Sequence, residues 1–288
     1  FGGMSAATEK TSEFNLELAR LKFTAGASNT EMRDMVNLID SMGRSSIFRG
    51  ADITKGAYEL VSAGLTLSQA KQALDATLKF TTVSGGQVGI EQSAKTFGAI
   101  FNKFKIDPSQ AMRVSDMMVE ASNKSAFQFG EIPKFFNSLQ DAPMKMNASI
   151  QDVLGIGMAM RNAGQNPRES GQKINSFANA LLNITAQIDR AAMRAKQGKG
   201  LGSIQAYRMK LLQDIGFGQT NMWNDGKMRP IMDILDDLMT NSKNATDQQK
   251  TVAKKTVFAQ NASTVWSILE QMEYAYKKYD IVRGMWID

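Results

Sequence analysis

The residues of this chain best suited to chemistry are cations. Arg190, Arg194, Lys196, Lys199, Arg208 and Lys210 crowd into one short stretch of a 288-residue sequence whose formal net charge is +6. Side chains of this kind contact phosphates or anionic lipid heads through long-range attraction. The plainer reading of the same residues is a solvated connection, since Tyr207 is the one aromatic nearby and base stacking needs several.

Other chemistries are constrained by what the sequence lacks. Histidine and cysteine are both absent. Triads built on imidazole, thiolate nucleophiles, disulfides and zinc sites made from these residues are therefore excluded, and any enzyme would have to use carboxylate, lysine or tyrosine. The absence of cysteine is compatible with synthesis in a reducing cytoplasm. Asp233, Asp236 and Asp237 share one short segment with no second acid placed across a recognisable cleft. SGGQVG, Ser84 to Gly89, lacks the lysine and hydroxyl of a phosphate loop and follows a helical segment, so it reads as a turn. No catalytic residue, cofactor or metal site is expected.

One stretch invites a nucleic-acid reading. YELVSAGLTLSQAKQAL, Tyr58 to Leu74, has the outline of a helix-turn-helix in which Ser68, Gln69, Lys71 and Gln72 would face bases. Any helical hairpin needs the same turn and cap, and Asp75 would meet phosphate unfavourably. The packing-hairpin reading is preferred, and no sequence-specific nucleic acid is expected as a partner.

The elements that must position these residues are helices. Hydrophobic residues make up 43% and charged residues 22%, with only five prolines, a soluble globular composition. The longest apolar or glycine run, Val153 to Met160, is far shorter than the ~20 residues that span a bilayer. Met32, Met35, Val36, Ile39 and Met42 fall on one helical face, as do Ile231, Ile234, Leu235, Leu238 and Met239. Starts are marked by short acceptors with an acid or amide three residues on: Ser28 with Glu31, Thr66 with Gln69, Asp107 with Gln110, Ser149 with Asp152, Asn166 with Glu169 and Thr246 with Gln249. Gly64 and Gly164 mark stops. Helices are expected at about 52–63, 67–82, 150–163 and 167–184, the second pair repeating the first. Most of the nineteen methionines and fifteen phenylalanines should be core, with some surplus available for self-association.

The expected fold is all-α, a bundle of short helical hairpins with one small β-hairpin or irregular loop near residues 217–229, where Asn224-Asp225-Gly226 supplies turn chemistry. The expected organisation is an N-terminal helical arm at 1–27, a main helical domain at 28–192, a basic flexible connection at 193–203, a second helical part at 204–273 and a C-terminal helical arm at 274–288. The chain opens at Phe1 without a signal-peptide pattern and reads as a piece of a longer polypeptide.

The order of these motifs resembles a known family. SMGRSSIFRGADITKGAYELVSAGLTLSQAKQALDATLKF, then EQSAKTFGAIFNKFKIDPSQAMRVSDMMVEASNKSAFQFGEI, then KLLQDIGFGQTNMWNDGKMRP and the helical run after it are similar to the conserved domain of phage tail tape measure proteins, over about Met32 to Leu269. The resemblance is carried by order and spacing, since no one segment is specific. It implies a non-enzymatic virion protein that helps set tail length, nucleates assembly at the tail tip or baseplate hub and takes part in genome ejection. It also implies tail tube and hub proteins as partners, a homotrimer in the virion, and a place in the tail lumen or tip with host membrane contact after ejection. Two other readings stand beside it: an envelope-active module that forms a DNA channel in the host membrane, and a peptidoglycan-degrading domain.

Overall fold

The computed structural model describes residues 2–215, 222–224, 227–241 and 245–253, with side chains from residue 11 on except 238, 239 and 253. Thirteen α-helices and one two-stranded ribbon are present among them. The architecture is all-α, as the apolar spacing predicts. The chain divides into two compact units, Phe1–Asn137 and Ser138–Asp288.

The first unit contains α1 (Gly2–Ala25), α2 (Asn29–Ser45), α3 (Gly50–Ser62), α4 (Leu67–Val83), α5 (Ile90–Phe104), α6 (Ala111–Lys124) and α7 (Ile132–Ser138), with 3-10 turns at Pro108–Gln110 and Phe129–Glu131. Its centre is α4. That helix packs on α2, α3, α5, α6 and the first 3-10 turn, and it buries Leu67, Ala70, Leu74 and Phe80 completely or nearly so. Burial of Thr77 and Thr81 is tolerated because each hydroxyl donates to the carbonyl four residues back, at 2.9 and 2.8 Å. Thr81 also meets the Ser93 hydroxyl of α5 at 2.8 Å.

α3 and α5 approach so closely that a Cβ on Gly98 would lie 2.4 Å from the Cβ of Ala63. A small residue at this crossing is a packing requirement. Phenylalanines fill the remaining space: Phe80 meets Phe97 and Phe129 edge to face at 6.0 and 5.7 Å, while Phe135 contacts Phe127 and Phe136 at 5.3 and 5.4 Å. α1 packs on α3, where Lys55 Nζ donates to Glu13 Oε1 at 2.7 Å.

In the second unit are α8 (Ala142–Lys145), α9 (Ile150–Asn162), α10 (Pro167–Lys196), α11 (Ser203–Asp214), β1 (Trp223–Asn224), β2 (Lys227–Met228), α12 (Ile231–Asn241) and α13 (Asp247–Ala253). The first half of α10 packs on α8 and α9 through Ile174, Phe177, Leu181 and Ile184, all buried. β1 and β2 pair antiparallel, Trp223 opposite Met228 and Asn224 opposite Lys227, which places the expected hairpin. Its turn at Asp225 and Gly226, and the C-terminal arm expected at 274–288, lie outside the described residues.

The caps follow the sequence closely. Ser28 with Glu31, Thr66 with Gln69, Ser149 with Asp152 and Thr246 with Gln249 form reciprocal pairs, each side chain accepting the other residue's backbone N–H. Asp107 and Asn166 differ. Each side chain accepts from the N–H two residues on, Ser109 and Arg168, where a proline follows the cap directly, and the side chains of the expected partners Gln110 and Glu169 do not reach back to the cap. Gly64 has φ +97° and Gly164 φ +81°. In both, the glycine N–H and the next N–H bond back to the helix end: Gly64 to Val61 and Leu65 to Leu60, Gly164 to Arg161 and Gln165 to Met160.

Candidate functional site

α10 is longer than its apolar face. The stripe that buries Phe177, Leu181 and Ile184 ends at Thr185, and beyond it the face is carried by Ile188, Ala191 and Ala195. From residue 186 to residue 210 no side chain is buried. The helix persists through Lys196 because AAMRAK is made of strong helix formers. The connection between helices is therefore residues 197–202, and Met193 to Lys196, which sequence reading assigns to it, belong to α10. An absent apolar face signals exposure, which Met193 and its neighbours have, but it does not prevent a helix.

The stop has the same geometry as those at Gly64 and Gly164. Gly198, at φ +69°, donates to Ala195 O at 3.0 Å, and Lys199 N–H donates to Arg194 O at 2.9 Å. Arg194 and Lys196 in the last turn sit where the partial negative charge of the helix terminus favours cations. α11 then begins after Gly202, with no side-chain cap.

This hairpin brings part of the basic cluster together. Arg190 and Arg194 from α10 and Arg208 from α11 line one cleft of about 520 Å³, whose apolar lining includes Met193, Leu201 and Met209. Lys196, Lys199 and Lys210 are exposed and lie outside it. Arg190 Nε donates to Ala186 O at 3.0 Å, which holds the guanidinium along its own helix. Among the described residues none of the six cations has a carboxylate partner. The stretch 186–210 holds six basic residues and Asp189 as its one acid, so it carries +5 of the chain's +6. An open cleft with three guanidinium groups and an apolar lining can hold carboxylates or phosphates attached to something apolar.

The other sequence candidates are engaged structurally. Gln69 is half of a helix cap, and Asp75 pairs with Lys79 at 3.1 Å. Helices on several sides of α4 leave Ser68, Gln72, Asp75 and Lys79 as a narrow exposed strip, so the Tyr58–Leu74 hairpin is a packing unit of the helical core. In SGGQVG, Gly85 and Gly86 at φ +60° and +87° make a tight turn, and the Ser84 hydroxyl donates to Thr81 O at 2.7 Å. Arg229 donates to Asp237 at 2.5 Å. Asp152 titrates unlike an ordinary carboxylate: burial holds its pKa above the usual range despite two hydrogen bonds from Ser149, and the charge of Asp233 pushes the same way. Among the described residues no group of three or more acids could hold a metal ion, and no helix is long and apolar enough to cross a membrane. Sequence reading missed Met193, Leu201 and Met209 as a shared lining, because they straddle a turn and follow no single helical period.

The fold and this site define a class: an all-helical scaffold whose exposed chemistry is a basic hairpin. Sequence comparison then supplies the family. The phage-related minor tail protein family matches residues 36–259, most of the span over which the motifs resemble tape measure proteins, and the chain belongs to that family. It is 21% identical over 261 residues to the tape measure protein of Pneumococcus phage Dp-1, an alignment covering 90% of this chain and 21% of the relative. It is 20% identical over 153 residues to a probable tape measure protein of Clostridium phage phiCD119, covering 52% of this chain and 16% of the relative. The chain's alignments thus cover 21% and 16% of the length of these relatives. No solved structure matches it.

Proposed function

We propose that this chain is the compact helical part of a tape measure protein, a non-enzymatic structural component of a phage tail. In this reading it helps set tail length, nucleates assembly at the tail tip or baseplate hub and takes part in genome ejection. Its partners are tail tube and hub proteins, its virion form is a homotrimer, and its place is the tail lumen or tip. The observation that carries the reading is the alignment with a tape measure protein over 90% of this chain but only 21% of the relative.

The physical division of labour follows from helix geometry. A helix advances about 1.5 Å per residue, so the 30 residues of α10 reach about 45 Å. Folding back into short hairpins consumes length, which makes a compact domain a poor ruler and a good docking body. Measuring distance then falls to the sequence outside it.

In-frame deletions in the full gene, followed by imaging of tails, test this. Removing helical sequence outside the domain should shorten tails in proportion, and removing the domain should give absent or irregular tails. Normal tail length in both deletions would overturn the reading.

A further inference from the structure

We propose that the cleft between the end of α10 and α11 docks an acidic amphipathic helix of a partner protein. The inference uses the hairpin alone and does not depend on the tail role. α10 and α11 leave an open cleft of about 520 Å³ along residues 186–210, where no side chain is buried. Ligand sites occupy about 300–1,000 Å³, so this one is large enough for the apolar side chains of a docked helix.

Charge and lining select the occupant. Arg190 and Arg194 are four residues apart on one face of α10, and Arg208 stands on α11. Carboxylates four apart on a partner helix have the spacing to meet the first two, and the planar guanidinium fork matches each carboxylate with two hydrogen bonds. Met193, Leu201 and Met209 give the partner's apolar face a flexible lining.

Other occupants fit less well. A second copy of the hairpin would bring +5 against +5. Nucleic acid has no use for an aliphatic lining, and Tyr207 alone offers no series of stacking rings. A bilayer is a plane and does not enter a concave cleft.

The test uses the full 288-residue chain and a labelled synthetic peptide of about 18 residues, helical, with leucines on one face and glutamates flanking them, followed by fluorescence anisotropy at about 0.15 M ionic strength. Its scrambled isomer should bind at least about tenfold more weakly. The triple variant R190E/R194E/R208E should lose about tenfold or more in affinity, while K196E/K199E/K210E, with the same change in net charge, should lose less than about threefold. All six residues are exposed, and unchanged circular dichroism would confirm that both variants fold. Equal binding of the scrambled peptide, equal losses in the two variants, or binding confined to phosphatidylglycerol vesicles or duplex DNA would each overturn the proposal.

Discussion

At the residue scale, the chain turns on a few backbone positions that only one kind of side chain can occupy. Gly64 sits at φ +97° with open space around the position of a Cβ, so the cost of substitution there is conformational and involves no clash. Gly64→Val should destabilise the fold by about 1–3 kcal/mol. Lys71→Ala, at a half-buried position beside the exposed strip of α4, should stay within about 0.5 kcal/mol. Thermal melts of the two variants check this, with a loss of about 2–4 °C per kcal/mol expected for the glycine variant; equal melting temperatures would refute the assigned turn. Gly98 is constrained differently, by the 2.4 Å that would separate its added Cβ from Ala63. The first glycine is readable from its place after an apolar helix. The second is not, because the residue that forbids a side chain there is thirty-five positions away.

At the element scale, identical caps acquire different chemistry from their surroundings. Ser28 with Glu31 starts α2, and Ser149 with Asp152 starts α9, by the same reciprocal hydrogen bonds. Backbone and side-chain hydrogen bonds from Ser28 hold the Glu31 carboxyl below its ordinary range. Asp152 receives the same bonds, yet burial outweighs them and raises it. Glu31 therefore stabilises the fold above its unfolded pKa, a contribution lost as pH falls through its lower folded value. Asp152 acts in reverse, since its stability contribution is full below its unfolded pKa and is lost as pH rises through the elevated folded value. Asp152→Asn, which keeps an acceptor for the Ser149 N–H, should melt at or above the parent temperature at neutral pH and lose that advantage in acid. Glu31→Gln should melt lower at neutral pH and converge with the parent in acid. Melting curves across the acid range decide both. A neutral-pH loss on Asp152→Asn as large as that on Glu31→Gln would contradict the assignment.

At the scale of the whole molecule, charge and core are distributed unevenly. Residues 186–210 hold +5 of the net +6, while the first unit has its own aromatic core around Phe80, Phe97 and Phe135. A unit that buries its own apolar face carries its own stability. A fragment of residues 1–141, cut beyond α7, should be helical by circular dichroism and unfold cooperatively; a non-cooperative, featureless melt would show that its core is incomplete.

Helix starts and stops, the small hairpin and the all-α class were determined by the sequence itself. Each rests on interactions between residues two to five apart: a serine reaching the third N–H, a glycine turning the last carbonyls back, a period that places apolar residues on one face. Such contacts form wherever the local chain can, so their signals are written in consecutive letters. Tertiary structure alone decided which helix sits at the centre, how close α3 and α5 come, which capping acid is the more desolvated, and that Arg190, Arg194 and Arg208 face one cleft while Lys196, Lys199 and Lys210 do not. These depend on burial and on packing between residues distant in the chain, where desolvation and excluded volume depend on which partner arrives and not on which neighbour precedes.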